Sequence, residues 1–332
     1  MITALRLAAV FVAVPAVLLS QSPRNVTVEA YAEFRRGDVV VIDGQRVRAA
    51  AATQYSGRDI RSLASVPLGY EVKVEGTRTA DGVILASQIE AKPNGVALFE
   101  SEVRHATDQI EAEWLRAGVM YEPTADGGRK VVGETIREGR EFNRVQSVVH
   151  RLLPPYIDRG RVRVHLVDTK EWNAAAMGNG AIWVFTGLAR EMSDDELAIV
   201  VGHEVAHFSH EHSRRQAKRG LWTQLAGLGA LVAAESIEND AARVSTQLGT
   251  LLGVTAFTNG YSRDLEDQAD RVGLRYAHEA GYDVHQGPIL WEKFRKKYGE
   301  TNRVASFFFS SHSRPTDRIA SIRRELALNY AR

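Results

Sequence analysis

The chain has 332 residues, of which 44% are hydrophobic, and its formal net charge is +1. This length favours two domains, and the hydrophobic fraction is large enough for a substantial core. The near-neutral charge argues against a nucleic-acid partner, because binding along a phosphate backbone normally requires a clear basic excess. The chain contains no cysteine, so disulfides, cysteine metal ligands and a lipid-modified cysteine are excluded.

Residues 1–20 have the order of a secretory signal peptide. Arg6 precedes an apolar run from Leu7 to Leu19, and Ser20 follows that run. The run is too short to span a bilayer comfortably, and an uncleaved membrane anchor is the alternative. We therefore predict an exported protein of the periplasm or cell envelope, which agrees with the absence of cysteine.

Residues 24–94 predict a small all-β domain. Short runs rich in β-branched residues are separated by turn sequences, among them Asp43-Gly44 and Asp81-Gly82. A small barrel or sandwich fits this pattern, and an OB-like barrel is one form of it. Such a domain serves either as a spacer or assembly module or as a ligand-binding module. The sequence Lys-Pro-Asn-Gly at 92–95 is the predicted linker.

The second domain, residues 97–332, is predicted to begin with helices over 97–115 and 134–153. Residues 161–167 alternate like a half-buried strand, and a second strand follows at 181–188. An exposed sheet edge ahead of the next helix can bind a substrate as one more strand.

The motif His203-Glu204-Val205-Ala206-His207 carries most of the chemical information. Two histidines four residues apart lie one helical turn apart on the same face, so their imidazoles can share one zinc ion. Glu204 then points into the same cleft, where it can take a proton from an attacking water during amide hydrolysis. Ser193 to Glu196 is a capping box that starts the helix, and Gly220 can end it.

The neighbouring His210 and His212 are predicted to be ordinary helix-surface residues. His210 lies seven residues from His203, a rise of about 10 Å along a helix, which is too far for both to share one ion. Arg214 and Arg215 are likewise interpreted as part of a solvated helix face.

Glu266 and Asp270 supply the remaining metal-site candidates. They lie four residues apart on one predicted helical face, where two carboxylates repel each other unless a cation lies beside them. A zinc site provides that cation, with Glu266 as the third protein ligand and a fourth position left for water. Asp270 would accept a hydrogen bond from the distal nitrogen of a ligand histidine. An acidic helix face without a metal is the alternative.

An apolar stretch separates the two metal motifs, over residues 221–257. Thr223 and Gln224 interrupt it and acidic residues follow closely, so a packed helical pair is favoured over a membrane span. A hydrophobic cover over the active site, or a surface that makes peripheral membrane contact, is the alternative.

These motifs occur in a characteristic order with further short sequences around them. Asn173-Ala174-Ala175-Ala176 precedes the second strand, and Ser311-His312 and Arg318-Ile319 follow the second metal motif. Over about residues 98–325 the chain resembles the zinc metallopeptidase family that includes the CAAX prenyl protease, HtpX, the mitochondrial Oma-type protease and the envelope protease BepA.

The resemblance implies an α+β architecture: a zincin-like, mainly helical metallopeptidase domain with a small sheet, preceded by the small all-β domain. It also supplies His312 as a candidate catalytic residue, although Ser313 stands where the family usually has proline. His312 either donates to the oxyanion of the reaction or occupies the water position in a self-inhibited state, or its loop never reaches the site.

We therefore predict an endopeptidase with one zinc ion per chain, held by His203, His207 and Glu266, with Glu204 as general base. The resemblance suggests unfolded or misfolded envelope proteins as substrates. One alternative is an envelope binding protein or chaperone with a structural zinc site. Another is an aminopeptidase, for which the sequence shows no group that would capture a free amine. The sequence makes no prediction of oligomeric state.

Overall fold

A computed structural model describes residues 24–93, 100–124, 128–216, 261–299 and 315–330. These residues form an α+β structure with a sheet-rich amino-terminal region and a helical carboxyl-terminal region. The predicted signal segment, the apolar stretch at 221–257 and His312 lie outside the described residues. Within the part of the chain that is described, no helix is both long enough and apolar enough to cross a membrane.

Five strands of the amino-terminal region close into a barrel, in the order β1-β2-β3-β5-β4. Their bounds are β1 Arg24–Arg36, β2 Val39–Ile42, β3 Gln45–Ser56, β4 Glu71–Arg78 and β5 Ile84–Lys92. Only the β3–β5 pair is parallel, and the other four pairs are antiparallel. Asp43 and Gly44 form the β2–β3 turn with φ of 50° and 68°, the left-handed values that an Asp-Gly hairpin turn requires.

A β-bulge interrupts the pairing of β1 with β2. Ala32 pairs with Ile42 and Phe34 pairs with Val41, so Glu33 is an extra residue without a partner position on β2. Bulges of this kind bend a strand and redirect a side chain. Glu33 is only 1% exposed, although it does not belong to the apolar cluster inside the barrel.

The carboxyl-terminal region contains a five-stranded sheet in the order β6-β7-β8-β10-β9. Its strands are β6 Val119–Pro123, β7 Arg129–Ile136, β8 Arg163–Asp168, β9 Ala174–Ala176 and β10 Ala181–Phe185. The central β8–β10 pair is parallel, and β9 lies at one edge. The predicted second strand ends at Phe185 rather than at 188, because a helix begins at Thr186.

Besides the helical residues 212–216, the described chain contains seven helices. They are α1 Glu100–Ala117, α2 Arg140–Leu152, α3 Thr186–Glu191, α4 Asp194–Ser209, α5 Arg263–Glu279, α6 Gly287–Tyr298 and α7 Pro315–Asn329. Helix α4 begins as predicted, with Ser193 and Glu196 in a capping box. It does not continue to Gly220: it ends at Ser209, and Glu211 adopts a left-handed φ of 52°.

Helices α4 and α5 pack in close contact through glycine. A Cβ atom at Gly202 would lie 2.7 Å from the carbonyl oxygen of Gly273, and a Cβ atom at Gly273 would lie 2.6 Å from the backbone nitrogen of His203. Real Cβ atoms do not approach other atoms so closely. The two glycines therefore allow the histidine motif on α4 to lie directly against the acidic motif on α5.

Candidate metal site

The two helices bring His203, His207 and Glu266 to one point. The Nε2 atoms of the two imidazoles lie 2.9 Å apart. The Glu266 carboxylate lies 3.5 Å from Nε2 of His203 and 3.4 Å from Nε2 of His207. All three side chains are buried, and the potential ligand atoms lie within 4.8 Å of one another. Two imidazole nitrogens and one carboxylate oxygen are the donor set of a catalytic zinc site, so these residues fit a zinc ion.

Glu204 joins this cluster to the edge of the sheet. Its Oε2 accepts a hydrogen bond of 3.0 Å from the backbone nitrogen of Ala176, in the edge strand β9. The side chain is 4% exposed. The carboxylate is therefore held between the histidine motif and the strand edge at which an extended peptide could add.

Asp270 lies behind His203, on the side away from the cluster. Nδ1 of His203 and Oδ1 of Asp270 are 2.9 Å apart, and Nε of Arg318 donates to Oδ2 over 3.1 Å. Burial raises the pKa of Asp270, but Arg318 and His203 outweigh burial and hold that pKa below its ordinary value. Asp270 thus stays ionised beside Nδ1 of His203, where Nη2 of Arg318 also lies 2.7 Å away, and Nε2 is the ring nitrogen that faces the cluster.

The protonation of His203 depends on the same neighbours. Burial and Arg318 lower its pKa, but hydrogen bonds to Asp270 and Glu266 prevail and raise it to about 9. A metal ion that binds through Nε2 of His203 would therefore compete with a proton for that nitrogen.

The structure corrects the interpretation of His210 and His212. Both side chains are fully buried, and Nδ1 of His212 lies 2.8 Å from Nδ1 of His207. The prediction of helix-surface residues is wrong because α4 ends at Ser209, so helical spacing no longer decides where the next side chains point. Arg214, predicted to be solvated, is also buried, and its Nη2 donates to the Tyr31 hydroxyl over 3.2 Å.

Two further residues near the site went unnoticed in the sequence. Oε1 of Gln268, on α5, lies 3.0 Å from Nε2 of His212, and Nε2 of Gln268 donates to Oε1 of Glu33 over 2.6 Å. For Gln268 the sequence offers one indication, its position between the acidic site residues Glu266 and Asp270 on the same helix. Nothing in the sequence pointed to Glu33, because a glutamate in a β-strand is ordinarily solvated.

The buried His165 of β8 belongs to a different cluster. Its Nε2 lies 2.7 Å from Oε1 of Glu111 on α1, and Nε of Arg163 lies 2.8 Å from the same oxygen. Burial raises the pKa of Glu111, but the hydrogen bonds from Arg163 and His165 outweigh it and lower the pKa to about 2. This cluster ties α1 to the sheet.

Comparison with known proteins adds a family to this geometry. Residues 139–326 match the sequence profile described as peptidase family M48, and residues 27–90 match that of a domain of unknown function, DUF5666. The first match covers more than half of the chain and includes every described residue of the candidate metal site.

Several curated metalloproteases are similar over the same region. The mitochondrial metalloendopeptidase OMA1 of Bos taurus is 32% identical over 157 residues, which are 45% of this chain and 30% of that protein. The metalloprotease YcaL of Escherichia coli K12 is 28% identical over 202 residues, or 61% of this chain and 75% of that protein. The beta-barrel assembly-enhancing protease of Escherichia coli O157:H7 is 27% identical over 164 residues, or 48% and 33% respectively.

The extent of these matches differs between relatives. The chain spans only 30% of the OMA1 relative and 33% of the assembly-enhancing protease, but 75% of YcaL. The similarity to the first two therefore concerns one region of longer proteins.

Proposed function

The chain belongs to peptidase family M48, and from that premise we propose that it is a zinc-dependent endopeptidase. The observation that carries the proposal is the convergence of His203, His207 and Glu266 beside the Glu204 carboxylate. Those three side chains would hold one zinc ion per chain. When bound, zinc supplies a Lewis acid that acidifies water and polarises a carbonyl group.

Glu204 is the proposed general base and acid. Its carboxylate takes a proton from the attacking water and passes that proton to the leaving amine. The hydrogen bond from Ala176 holds Oε2 in place while this happens. Asp270 accepts the Nδ1 proton of His203 and is the proposed positioning residue for that ligand.

Strand β9 is the proposed binding edge for substrate. Among the described strands it pairs only with β10, and its residue Ala176 contacts Glu204. A substrate peptide that adds to this edge as a further strand would lie across the base, with its backbone held by main-chain hydrogen bonds. This mode of binding suits unfolded or misfolded proteins, because it needs an extended segment rather than a folded partner.

The proposed catalytic role of His312 rests on the family resemblance alone. A donor to the oxyanion should make His312→Ala lose turnover by about 100-fold with little change in zinc content. A self-inhibiting ligand should make the same substitution raise turnover, because it would free the position that water needs. No change in either quantity would mean that the loop does not reach the site.

The remaining proposals concern architecture and location. We propose a signal peptide at 1–20, an OB-like β-domain at 24–94 and a zincin-like peptidase domain at 97–332. The closed five-stranded barrel with one parallel pair supports the OB-like proposal. Export to the periplasm or cell envelope, and a role in protein quality control there, are further proposals; two bacterial relatives are named as beta-barrel assembly-enhancing proteases.

The rival function is a binding protein or chaperone with a structural zinc site. A structural site normally closes its fourth position with a protein ligand and has no need of a general base. The buried Glu204 beside the three candidate ligands therefore favours catalysis.

Cleavage of casein by the purified protein tests the proposal, provided that the ends of the fragments are sequenced. An endopeptidase gives internal cuts that stop with a chelator and return with added zinc. Stepwise loss from the amino terminus would indicate an aminopeptidase. No cleavage by zinc-loaded protein would favour the binding protein.

A further inference from the structure

We propose that the barrel residue Glu33 is a positioning residue for His207. It acts through two intervening side chains, those of Gln268 and His212. The inference rests on the proposed function, because it takes His207 to be a metal ligand.

The four side chains form one continuous line of hydrogen bonds. Nδ1 of His207 lies 2.8 Å from Nδ1 of His212, whose Nε2 lies 3.0 Å from Oε1 of Gln268. Nε2 of Gln268 donates to Oε1 of Glu33 over 2.6 Å. Each of the four side chains is buried, with at most 1% of its surface exposed. Solvent therefore cannot substitute for any partner in this line, which we call the relay.

The barrel end fixes the direction of every hydrogen bond in the relay. The Glu33 carboxylate only accepts, whereas Arg215, whose Nη1 lies 2.5 Å from Oε1 of Gln268, only donates. The Gln268 amide must therefore turn Nε2 to the barrel and Oε1 to His212. A neutral His212 then donates from Nε2 and accepts at Nδ1, so the proton between the two imidazoles belongs to Nδ1 of His207. Nε2 of His207 is left with its lone pair for a metal ion.

Arg271 of α5 and the barrel turn at Gly44 hold Glu33 as an acceptor. Nε and Nη2 of Arg271 donate to its two oxygens over 2.9 and 3.0 Å, and the backbone nitrogen of Gly44 donates over 3.1 Å. Burial raises the pKa of Glu33, but Arg271 and the hydrogen bonds outweigh it and keep that pKa below its ordinary value. The β1 bulge and the tight turn at Gly44 are thus the barrel features that present this carboxylate to α5.

The two candidate ligand histidines are therefore oriented by carboxylates from different regions. His203 contacts Asp270 of α5 directly. His207 depends on Glu33 of the barrel, two side chains away. The barrel thus supplies a hydrogen-bond acceptor to the surroundings of the metal site, which a passive spacer would not do.

Zinc affinity of the full-length chain, measured by competition with a chelator, tests the relay together with the visible spectrum of the cobalt-substituted protein. His212→Leu should weaken zinc binding about 10- to 100-fold, as losses of hydrogen-bond partners to ligands do. His212→Asn keeps an acceptor for His207 and should lose less than about tenfold. A role in filling space predicts the opposite order, because leucine fills a buried site better than asparagine does.

Glu33→Ala tests the contribution of the barrel. It should weaken zinc binding by roughly three- to tenfold, less than a change at His212 because it lies further along the relay. Tyr31→Phe is the matched control: it removes only the hydroxyl that contacts Arg214, keeps the ring that lies against Arg215, and should leave zinc affinity unchanged. Gln268→Met interrupts the relay within α5 and provides a second test if Glu33→Ala does not fold.

The double variant Glu33→Ala/Gln268→Met should bind zinc no more weakly than Gln268→Met alone, because the second change acts through a side chain already removed. Additive losses would overturn the relay. So would wild-type zinc affinity in both His212→Leu and Glu33→Ala while the wild-type protein binds zinc. A wild-type protein that binds no zinc would instead overturn the proposed function, and the relay with it.

Discussion

The core of the barrel is apolar, whereas the helical region buries a cluster of polar and charged side chains beside its own apolar core. The cluster inside the barrel is entirely apolar, and it runs from Val28 to Ala91. Where α4, α5 and α7 meet, imidazoles, carboxylates and a guanidinium are buried together, each at most 5% exposed: His203, Glu204, His207, Glu266, Asp270 and Arg318. An unpaired buried charge costs several kcal/mol. Burial in the barrel core therefore stabilises the fold, whereas burial of the polar cluster costs stability and is explained by its proposed role in metal binding.

The barrel and the helical region meet at Glu33, which pairs with Arg271 of α5. The barrel keeps its interior apolar and presents its one buried carboxylate, that of Glu33, on the face that α5 covers. Mutations in the barrel interior should therefore change stability alone, whereas mutations between α4 and α5 should change metal binding.

Glu266→Ala should give the largest effect, the loss of bound zinc, because it removes one of three protein ligands and leaves two histidines alone in a buried site. Zinc content after dialysis measures this. Asp267→Ala is the matched control, since position 267 is rotated about 100° from 266 on the helix. Loss of zinc in the Asp267 variant, with retention in the Glu266 variant, would exchange their roles.

Ile89→Ala should lower the free energy of unfolding by about 3 kcal/mol, because it leaves a cavity in the apolar barrel core. Urea unfolding measures this change, and zinc affinity below the transition should stay at the wild-type value. Leu85→Ala, on the same strand but at a position that is 41% exposed, is the control and should change stability little. A fall in zinc affinity for Ile89→Ala that matches its fall in stability would abolish the distinction between the two cores.

Asp270→Asn should weaken zinc binding by about 10- to 100-fold without abolishing it. Asparagine can still accept from Nδ1 of His203, but it no longer balances the buried charge of Arg318. Chelator competition separates this partial loss from the outright loss in Glu266→Ala. Complete loss of zinc would make Asp270 a ligand in its own right.

Glu111→Gln should give the smallest effect, about 1.5 kcal/mol of unfolding free energy at neutral pH, the value of a hydrogen bond to a charged group. The pKa of Glu111 falls from 4.5 to about 2 on folding. Its stabilisation is therefore fully present above about pH 4.5 and is lost as the pH falls towards 2. Urea unfolding at pH 7 and pH 3 should show the variant and the wild type converging at the lower pH.

The control for that measurement is Glu113→Gln, on the same helix but 47% exposed in its side chain. It should differ little from wild type at either pH, because exposed ion pairs contribute little. A variant of Glu111 whose deficit stays constant from pH 7 to pH 3 would contradict the linkage.

The sequence predicted those features of the site that depend on local spacing. The capping box at Ser193 and the one-turn separation of the two histidines follow from helix geometry alone. Close contact between the motifs of α4 and α5 depends instead on Gly202 and Gly273, which helical spacing does not reveal. Each of these glycines lies opposite the other helix.

The relay was beyond sequence reasoning for two physical reasons. His212 follows the end of α4 and the left-handed Glu211, so its direction could not be extrapolated along the helix. Glu33 owes its direction to a bulge, and strand alternation alone does not locate a bulge. Both residues contact partners far away in the sequence, and only the folded chain brings them together.

The central claim, that Glu204 is the base of a metallopeptidase site, is tested most directly by measuring bound zinc and casein cleavage in parallel for the wild type and Glu204→Gln. Glutamine keeps the shape of the side chain but cannot take a proton. We expect one zinc ion per chain in both proteins and at least a hundredfold loss of cleavage in the variant, the scale of general base catalysis. Cleavage retained at more than about a tenth of the wild-type rate, with zinc still bound, would contradict it.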